Sequence, residues 1–180
     1  MTDRGRLLIA IAAAAGVQAA GAALASTGTP AVPPDGFIDA FGRWHPVLVH
    51  FPVALIVTAA VAELAGAARK DPVPMTAARF MVHAGAWTAV VAALAGFARA
   101  DSITIGPEIS HAFAIHRIAG IITPVIAFLA AGLADGVRRS GQIWELFLYR
   151  IVLLLAVAAA CVAGFYGGEL VFGAHFFSLW

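Results

Sequence analysis

Apolar residues along the chain gather into five stretches, each close to the roughly 20 residues that a helix needs to cross a bilayer. We call them segments S, A, B, C and D, and they cover approximately residues 7–25, 47–68, 80–98, 112–137 and 146–172. Turn-forming residues separate S from A and show no helical period. The pattern predicts an all-α membrane protein in which A to D form a four-helix up-down bundle, preceded by a signal-like or anchor helix.

Segment S begins the chain in the manner of a secretory signal. Arg4 and Arg6 precede its apolar stretch, and Ala23 and Ala25 come before Ser26, as in a small-residue cleavage site. The same residues would equally suit a retained membrane anchor. We expect four regions: a signal or anchor over 1–25, an extracytoplasmic linker over 26–43, the four-helix domain over 44–176 and a short outer tail over 177–180.

The composition indicates that lipid is the main surrounding of the chain. Mean hydropathy is +0.92 and only 12% of the residues are charged, whereas soluble domains have about a quarter. A net charge of +1 argues against a surface that binds nucleic acid. The single cysteine, Cys161, excludes an internal disulfide and the paired cysteines that attach c-type haem.

Basic residues mark one side of the predicted bundle. The loops from A to B and from C to D are rich in them, whereas Arg99 in the loop from B to C is offset by Asp101 and Glu108. The basic residues of the first two loops are Arg69, Lys70, Arg79, Arg138 and Arg139. Because basic loops remain in the cytoplasm, we expect the N-terminus to be cytoplasmic before any cleavage and the C-terminus to lie on the outer side.

The histidines are concentrated on the opposite, outer side. Five of the six fall there: His45, His50, His111, His116 and His175. His50 and His116 each lie about five residues inside a helix start, which places both roughly 7 to 9 Å below the outer boundary. Two imidazoles at matched depth on parallel helices of a bundle could ligate one b-type haem.

Charged residues near this pair extend the candidate site. Arg117 follows His116 directly, and together with Arg43 and Arg99 it could bind haem propionates. Glu169 lies near the outer end of D, where its alternative role is to neutralise Arg117. The predicted cofactor-binding residues are therefore His50, His116, Arg117, His45 and Glu169.

A second polar group falls in the cytoplasmic half of the bundle. Glu63 in A, His83 in B and Arg150 in D lie at similar depths, about one to two turns from a cytoplasmic loop. Because ionisable side chains are costly inside a bilayer, we expect these three to form one polar cluster. A proton route, a quinone-head site and a structural ion pair all remain open as interpretations.

Two motifs resemble those of a known bacterial family. The residues HPVLVHFP, from His45 to Pro52, resemble its HPxxVHFP signature, and GGELVF, from Gly167 to Phe172, resembles its closing GGxLVY-type motif. A histidine that opens the third core helix, here His116 or His111, also fits. The family is called domain of unknown function 2231, and the resemblance covers roughly residues 42–173. Phe172 stands where the family usually has tyrosine.

The resemblance implies a multi-pass protein of the bacterial inner membrane with a periplasmic C-terminus. It also implies a membrane-anchored redox component, because some members carry cytochrome c or Rieske-type domains. The main hypothesis is an electron carrier, rather than an enzyme, with one haem b. Its partners would be a c-type cytochrome, a Rieske-type protein or a quinone. One alternative is a cofactor-free accessory or assembly subunit of a respiratory complex, and a homodimer is also open. A third hypothesis is an outer copper or zinc site built from His45, His50, His111, His116 and Glu169.

Overall fold

The computed structural model describes residues 36–101 and 103–173. Segment S, residues 26–35 of the predicted linker, His175 and the predicted outer tail lie outside this part of the chain. Every regular element between residues 36 and 173 that the structure describes is helical.

Four long helices carry the fold. We number the α-helices α1 (Phe37–Arg43), α2 (His45–Leu48), α3 (His50–Arg69), α4 (Pro72–Ala100), α5 (Ser110–Ser140) and α6 (Ile143–Phe172). A 3-10 turn, Pro107–Ile109, leads into α5. The stretches long and apolar enough to cross a membrane are His45–Arg69, Pro72–Ala100, Pro107–Ser140 and Ile143–Phe172. The prediction of an all-α protein with four spanning helices in segments A to D is confirmed.

Short connections make consecutive helices antiparallel. Between α3 and α4, Lys70 adopts the left-handed conformation with φ of 54°, and the Asp71 carboxylate accepts a hydrogen bond from the Val73 backbone N–H at 2.9 Å. Between α5 and α6, Gly141 adopts the same left-handed conformation with φ of 66°. A residue of this kind ends a helix by satisfying its last carbonyls. Each tight connection therefore produces a helical hairpin, α3–α4 and α5–α6.

Small side chains fill the centre of the bundle. Helix α3 packs against α4, α4 against α5 and α5 against α6, and α6 closes the ring against α3. The core is mostly alanine with a few larger residues, among them Ile56, Val82, Phe128, Tyr149 and Leu153. Small residues let helices approach closely where lipid supplies no hydrophobic drive between them. Larger apolar side chains such as Leu64, Phe80 and Leu154 are exposed on the outside, as a lipid-facing surface requires.

The two ends of the bundle differ in chemistry. We call the end with His45 and His116 the histidine end, and the end with Lys70 and Gly141 the basic end. Helix α1 lies at the histidine end against α4. Its residue Gly42 is buried, and a Cβ there would come within 2.7 Å of the Arg99 backbone nitrogen. The last residues of the predicted linker are therefore helical rather than irregular, because they pack against α4.

The two hairpins are copies of one pattern, displaced by 71 positions. Lys70 and Gly141, which end α3 and α5, stand at this offset. So do the buried residues along α4 and α6, where Ala78, Val82, Ala89 correspond to Tyr149, Leu153, Ala160. Because α3 and α5 run in the same direction and the four helices form a ring, the hairpins are related by an approximate two-fold axis along the helices. This is a parallel internal repeat.

Candidate functional site

The candidate site lies where the two copies of the hairpin meet at the histidine end. His45 is the first residue of α2 and so opens the first span, with Pro46 next to it in the first turn. His116 lies in the second turn of α5, which begins at Ser110. The offset between the two histidines is the 71 positions of the internal repeat.

The two imidazoles contact each other across the axis. Their ring centroids are 5.8 Å apart and their planes cross at 78°, an edge-to-face arrangement. Both side chains are half-buried. The structure therefore brings together one histidine from each half of the chain.

Each imidazole is held by a backbone carbonyl of its own hairpin. The Nδ1 atom of His45 lies 2.8 Å from the Ala92 carbonyl oxygen on α4, and Nδ1 of His116 lies 2.8 Å from the Ala163 carbonyl oxygen on α6. A carbonyl only accepts hydrogen bonds, so both Nδ1 atoms donate. In the neutral ring the proton is then on Nδ1, and the lone pair of Nε2 is left available. Histidines that ligate metals commonly have their second ring nitrogen held in this way.

A glycine lies under each ring. A Cβ added to Gly96 on α4 would lie 2.9 Å from Cε1 of His45, and one added to Gly167 on α6 would lie 3.0 Å from Cε1 of His116. These distances are shorter than ordinary carbon contacts. The two glycines therefore give the imidazoles their places against α4 and α6, and they too stand at the offset of the repeat.

The ring of His116 contacts that of His45, and Arg99 lies in the last turn of α4 at the same end. Arg117, directly after His116, is exposed at the same end, and Glu169 is half-buried near the end of α6. The charged residues predicted for this site thus lie around the histidine end of α4, α5 and α6.

The other predicted histidines have different positions. His50, the first residue of α3, is exposed, and the ring that contacts His116 is that of His45. His111 is also exposed, and its ring contacts Tyr166 with centroids 6.5 Å apart. Within residues 36–101 and 103–173, no three or more His, Cys, Asp or Glu side chains gather in a way that could hold a metal ion.

The sequence carried a signal for this pairing that depth alone did not give. At the offset of 71 positions, histidine matches histidine at 45 and 116, alanine matches alanine at 92 and 163, and glycine matches glycine at 96 and 167. The identical residues are scattered through an alanine-rich sequence. A search for internal repeats could have found the partner of His116 and both glycines.

Comparison with protein families decides the relationship of the chain. Residues 44–176 match the model of a family described as predicted membrane protein, DUF2231. The chain belongs to this family. The resemblance to domain of unknown function 2231 inferred from the sequence is thereby confirmed. No curated protein and no solved structure matches the chain. Membership of the DUF2231 family does not assign an activity to it.

In this DUF2231 member, the polar residues predicted for the cytoplasmic half form two pairs near the basic end. Arg150 donates to Glu63 Oε1 from Nε at 3.0 Å and from Nη2 at 2.9 Å. His83 lies with Nε2 3.4 Å from the Asp135 Oδ2 atom. The structure thus joins Glu63 to Arg150 and gives His83 a separate acidic partner, a residue that the sequence analysis did not single out.

The two pairs differ in burial. The Glu63 side chain is 6% exposed and that of Arg150 is 36% exposed, whereas His83 and Asp135 are 40% and 37% exposed. Glu63 is therefore a charge taken almost fully out of solvent, and Arg150 connects it to the surface. The second pair lies on the outside of the bundle, where solvent or lipid headgroups screen it.

Proposed function

We propose that this protein is a membrane electron carrier that binds one b-type haem at its histidine end, with His45 and His116 as the axial ligands. The supporting observation is the symmetric imidazole pair, in which both Nδ1 atoms donate to backbone carbonyls and leave both Nε2 lone pairs available. His45 thus replaces His50 in the ligand pair that matched depth suggested.

The chemistry of the donor set fits a haem iron better than a multi-ligand metal centre. Haem already supplies four equatorial nitrogens, so the protein needs to add only axial ligands. The structure offers two imidazoles from opposite halves of the bundle, at a place where glycines keep both rings close to the neighbouring helices. When bound, haem would supply a one-electron redox centre there.

The residues around the pair would hold and orient the group. Ala92 and Ala163 fix the rotation of the two imidazoles through their carbonyl oxygens. Arg117, which is exposed at this end, is a cation that would suit a propionate group. A haem held by these residues would supply a redox centre near the end of the bundle, where a redox partner could approach.

We further propose that the histidine end faces the outside of a bacterial inner membrane. The last turns of α3 and α5 and the residue after α3 carry Arg69, Lys70, Arg138 and Arg139 at the other end, and basic residues beside a connection are characteristic of the cytoplasmic side. A c-type cytochrome, a Rieske-type protein or a quinone near the outer surface would then exchange electrons with the haem.

The test is a dithionite-reduced minus oxidised absorption spectrum, with a pyridine haemochrome assay, on full-length protein purified in detergent after expression with adequate haem. We expect a sharp α band and one haem b per chain. A colourless protein with no bound haem under these conditions would overturn the proposal.

A second candidate is a cofactor-free accessory subunit in which the histidine pair only joins the two hairpins. One observation favours it: the rings already contact each other and each Nδ1 atom has a carbonyl partner, so the pair joins the two hairpins without a ligand. This candidate predicts a colourless protein that copurifies with a respiratory complex at fixed stoichiometry.

A further inference from the structure

One buried polar group near the basic end has no partner. The hydroxyl of Tyr149 on α6 is the one buried side-chain nitrogen or oxygen in residues 36–101 and 103–173 without a hydrogen bond, and the residue is only 3% exposed. Glu63, on the neighbouring helix α3, is also buried near this end, where Arg150 binds it. A buried hydroxyl without a partner is rare enough to require a specific explanation, and an ordered water is a common one.

The internal repeat allows the surroundings of Tyr149 to be compared with the equivalent position in the other half of the same molecule. We call the contact of α3 with α6 the first seam and the contact of α5 with α4 the second seam. The approximate two-fold axis relates one to the other. At the first seam stand Glu63 and Tyr149, and at the second their counterparts are Ala134 and Ala78, which are 1% and 0% exposed. The same helix packing is thus formed with two alanines. Glu63 and Tyr149 are not needed to build a seam of this kind.

Burying the two polar groups is therefore an addition with a cost, since ionisable residues inside a bilayer are expensive and commonly functional. The arginine is common to both seams, because Arg79 corresponds to Arg150 by position. What distinguishes the seam between α3 and α6 is a carboxylate and a phenol in place of two methyl groups.

We propose that the seam between α3 and α6 holds one buried water molecule, which accepts a hydrogen bond from the Tyr149 hydroxyl and donates one to the Glu63 carboxylate. Three features select water. The hydroxyl has almost no accessible surface, so its partner must be small and enclosed. Tyrosine needs an acceptor and a carboxylate needs a donor, and water is both. The half-exposed Arg150 side chain, bound to Glu63, closes the seam toward the basic end.

Such a water would join the buried carboxylate of Glu63 and the Tyr149 hydroxyl through hydrogen bonds inside the bundle. It does not depend on whether His45 and His116 bind haem, because it lies at the opposite end of the bundle. A haem-free protein would retain it.

Hydroxyl-radical labelling with mass spectrometry tests the site in the full-length protein in detergent, since radicals formed from an internal water react with the side chain beside it. The chain has two tyrosines, which makes the half-exposed Tyr166 a control of equal intrinsic reactivity. We expect Tyr149 to be labelled within several-fold of Tyr166 in spite of its burial. Labelling of Tyr149 at background level, with Tyr166 labelled, would overturn the proposal.

Thermal unfolding of Tyr149→Phe gives an independent test, with Tyr166→Phe as the matched control. If water joins the hydroxyl to Glu63, the phenylalanine variant leaves the water and carboxylate short of a partner, and its melting temperature falls below that of the wild type. An unchanged or higher melting temperature would contradict the proposal, because it would show that the hydroxyl was unsatisfied. Stabilisation of the wild type, but not of Tyr149→Phe, by a soluble quinone analogue would also contradict it, since the site would then open to an organic ligand.

Discussion

The two halves of the internal repeat have the same residues at the histidine end of the bundle and different residues at the basic end. At the histidine end both halves supply the same set: an imidazole, a carbonyl oxygen 47 residues later that binds its Nδ1 atom, and a glycine under the ring. At the basic end the halves diverge, because Glu63 and Tyr149 stand opposite alanine counterparts. Symmetric residues suit a single ligand on the axis, whereas asymmetric residues suit a property of one seam.

The largest effect expected from this comparison concerns the ligands. His45→Ala and His116→Ala should each remove essentially all low-spin haem absorbance, because each takes away one axial ligand. His50→Ala is the matched control, as its ring is exposed one turn along the same span, and it should retain the spectrum. Absorption spectra of the three purified variants, normalised to protein, give the answer. If His45→Ala keeps the low-spin haem absorbance as fully as His50→Ala, His45 is excluded as a ligand.

Arg150→Ala should cause the next largest effect. It leaves the buried Glu63 carboxylate without its cation, and breaking a buried pair in this way costs about 3–5 kcal/mol of unfolding free energy. Because Arg150 is partly exposed, we expect the lower part of this range. Denaturant unfolding in mixed micelles measures it. Arg79→Ala, at the equivalent position of the first hairpin, is the control, and a loss as large for Arg79→Ala would show that Glu63 does not set the difference.

Gly96→Ala and Gly167→Ala should have similar, intermediate effects. Either methyl group would push an imidazole from its place, and overpacking of this kind costs about 1–3 kcal/mol. We also expect altered haem affinity in both variants, measured by titration of the apoprotein. Gly164→Ala, where an added Cβ meets nothing within 4 Å, should leave both stability and titration unchanged. A large effect at only one of the two glycines would break the proposed equivalence of the halves.

Asp135→Asn should have the smallest effect. The ion pair of Asp135 with His83 is exposed, and exposed pairs contribute about 0–1 kcal/mol. The same unfolding assay used for Arg150→Ala should therefore barely separate this variant from the wild type. A loss that equals that of Arg150→Ala would mean that both pairs clamp the hairpins together with equal strength.

Hydrophobic length predicted the four spans because it is a local property of the chain. A run of apolar residues long enough to cross the bilayer has few other stable conformations, and segments A to D each became a long helix. The end of the linker was different. Residues 37–43 show no helical period alone, and they are helical where Gly42 fits closely against α4.

The position of a residue along its helix gives its depth in the membrane but not the direction of its side chain. For this reason, matching depths paired His116 with His50. The count began at the predicted helix starts, but the two halves begin differently. In the second half α5 extends six residues ahead of His116, whereas in the first half a separate helix, α1, precedes His45. The repeat offset aligns His45 with His116 in spite of this. The orphan hydroxyl of Tyr149 could be found only from packing, because tyrosine in an apolar run gives no sequence signal of burial.

The most direct test of the account is a low-temperature electron paramagnetic resonance spectrum of the oxidised, full-length protein, with haem and protein quantified on the same sample. One haem per chain, low-spin, is the predicted result, because one imidazole from each half of the chain, His45 and His116, would hold the iron. A high-spin signal, or protein that takes up no haem, would contradict the claim that these two histidines form an axial ligand pair.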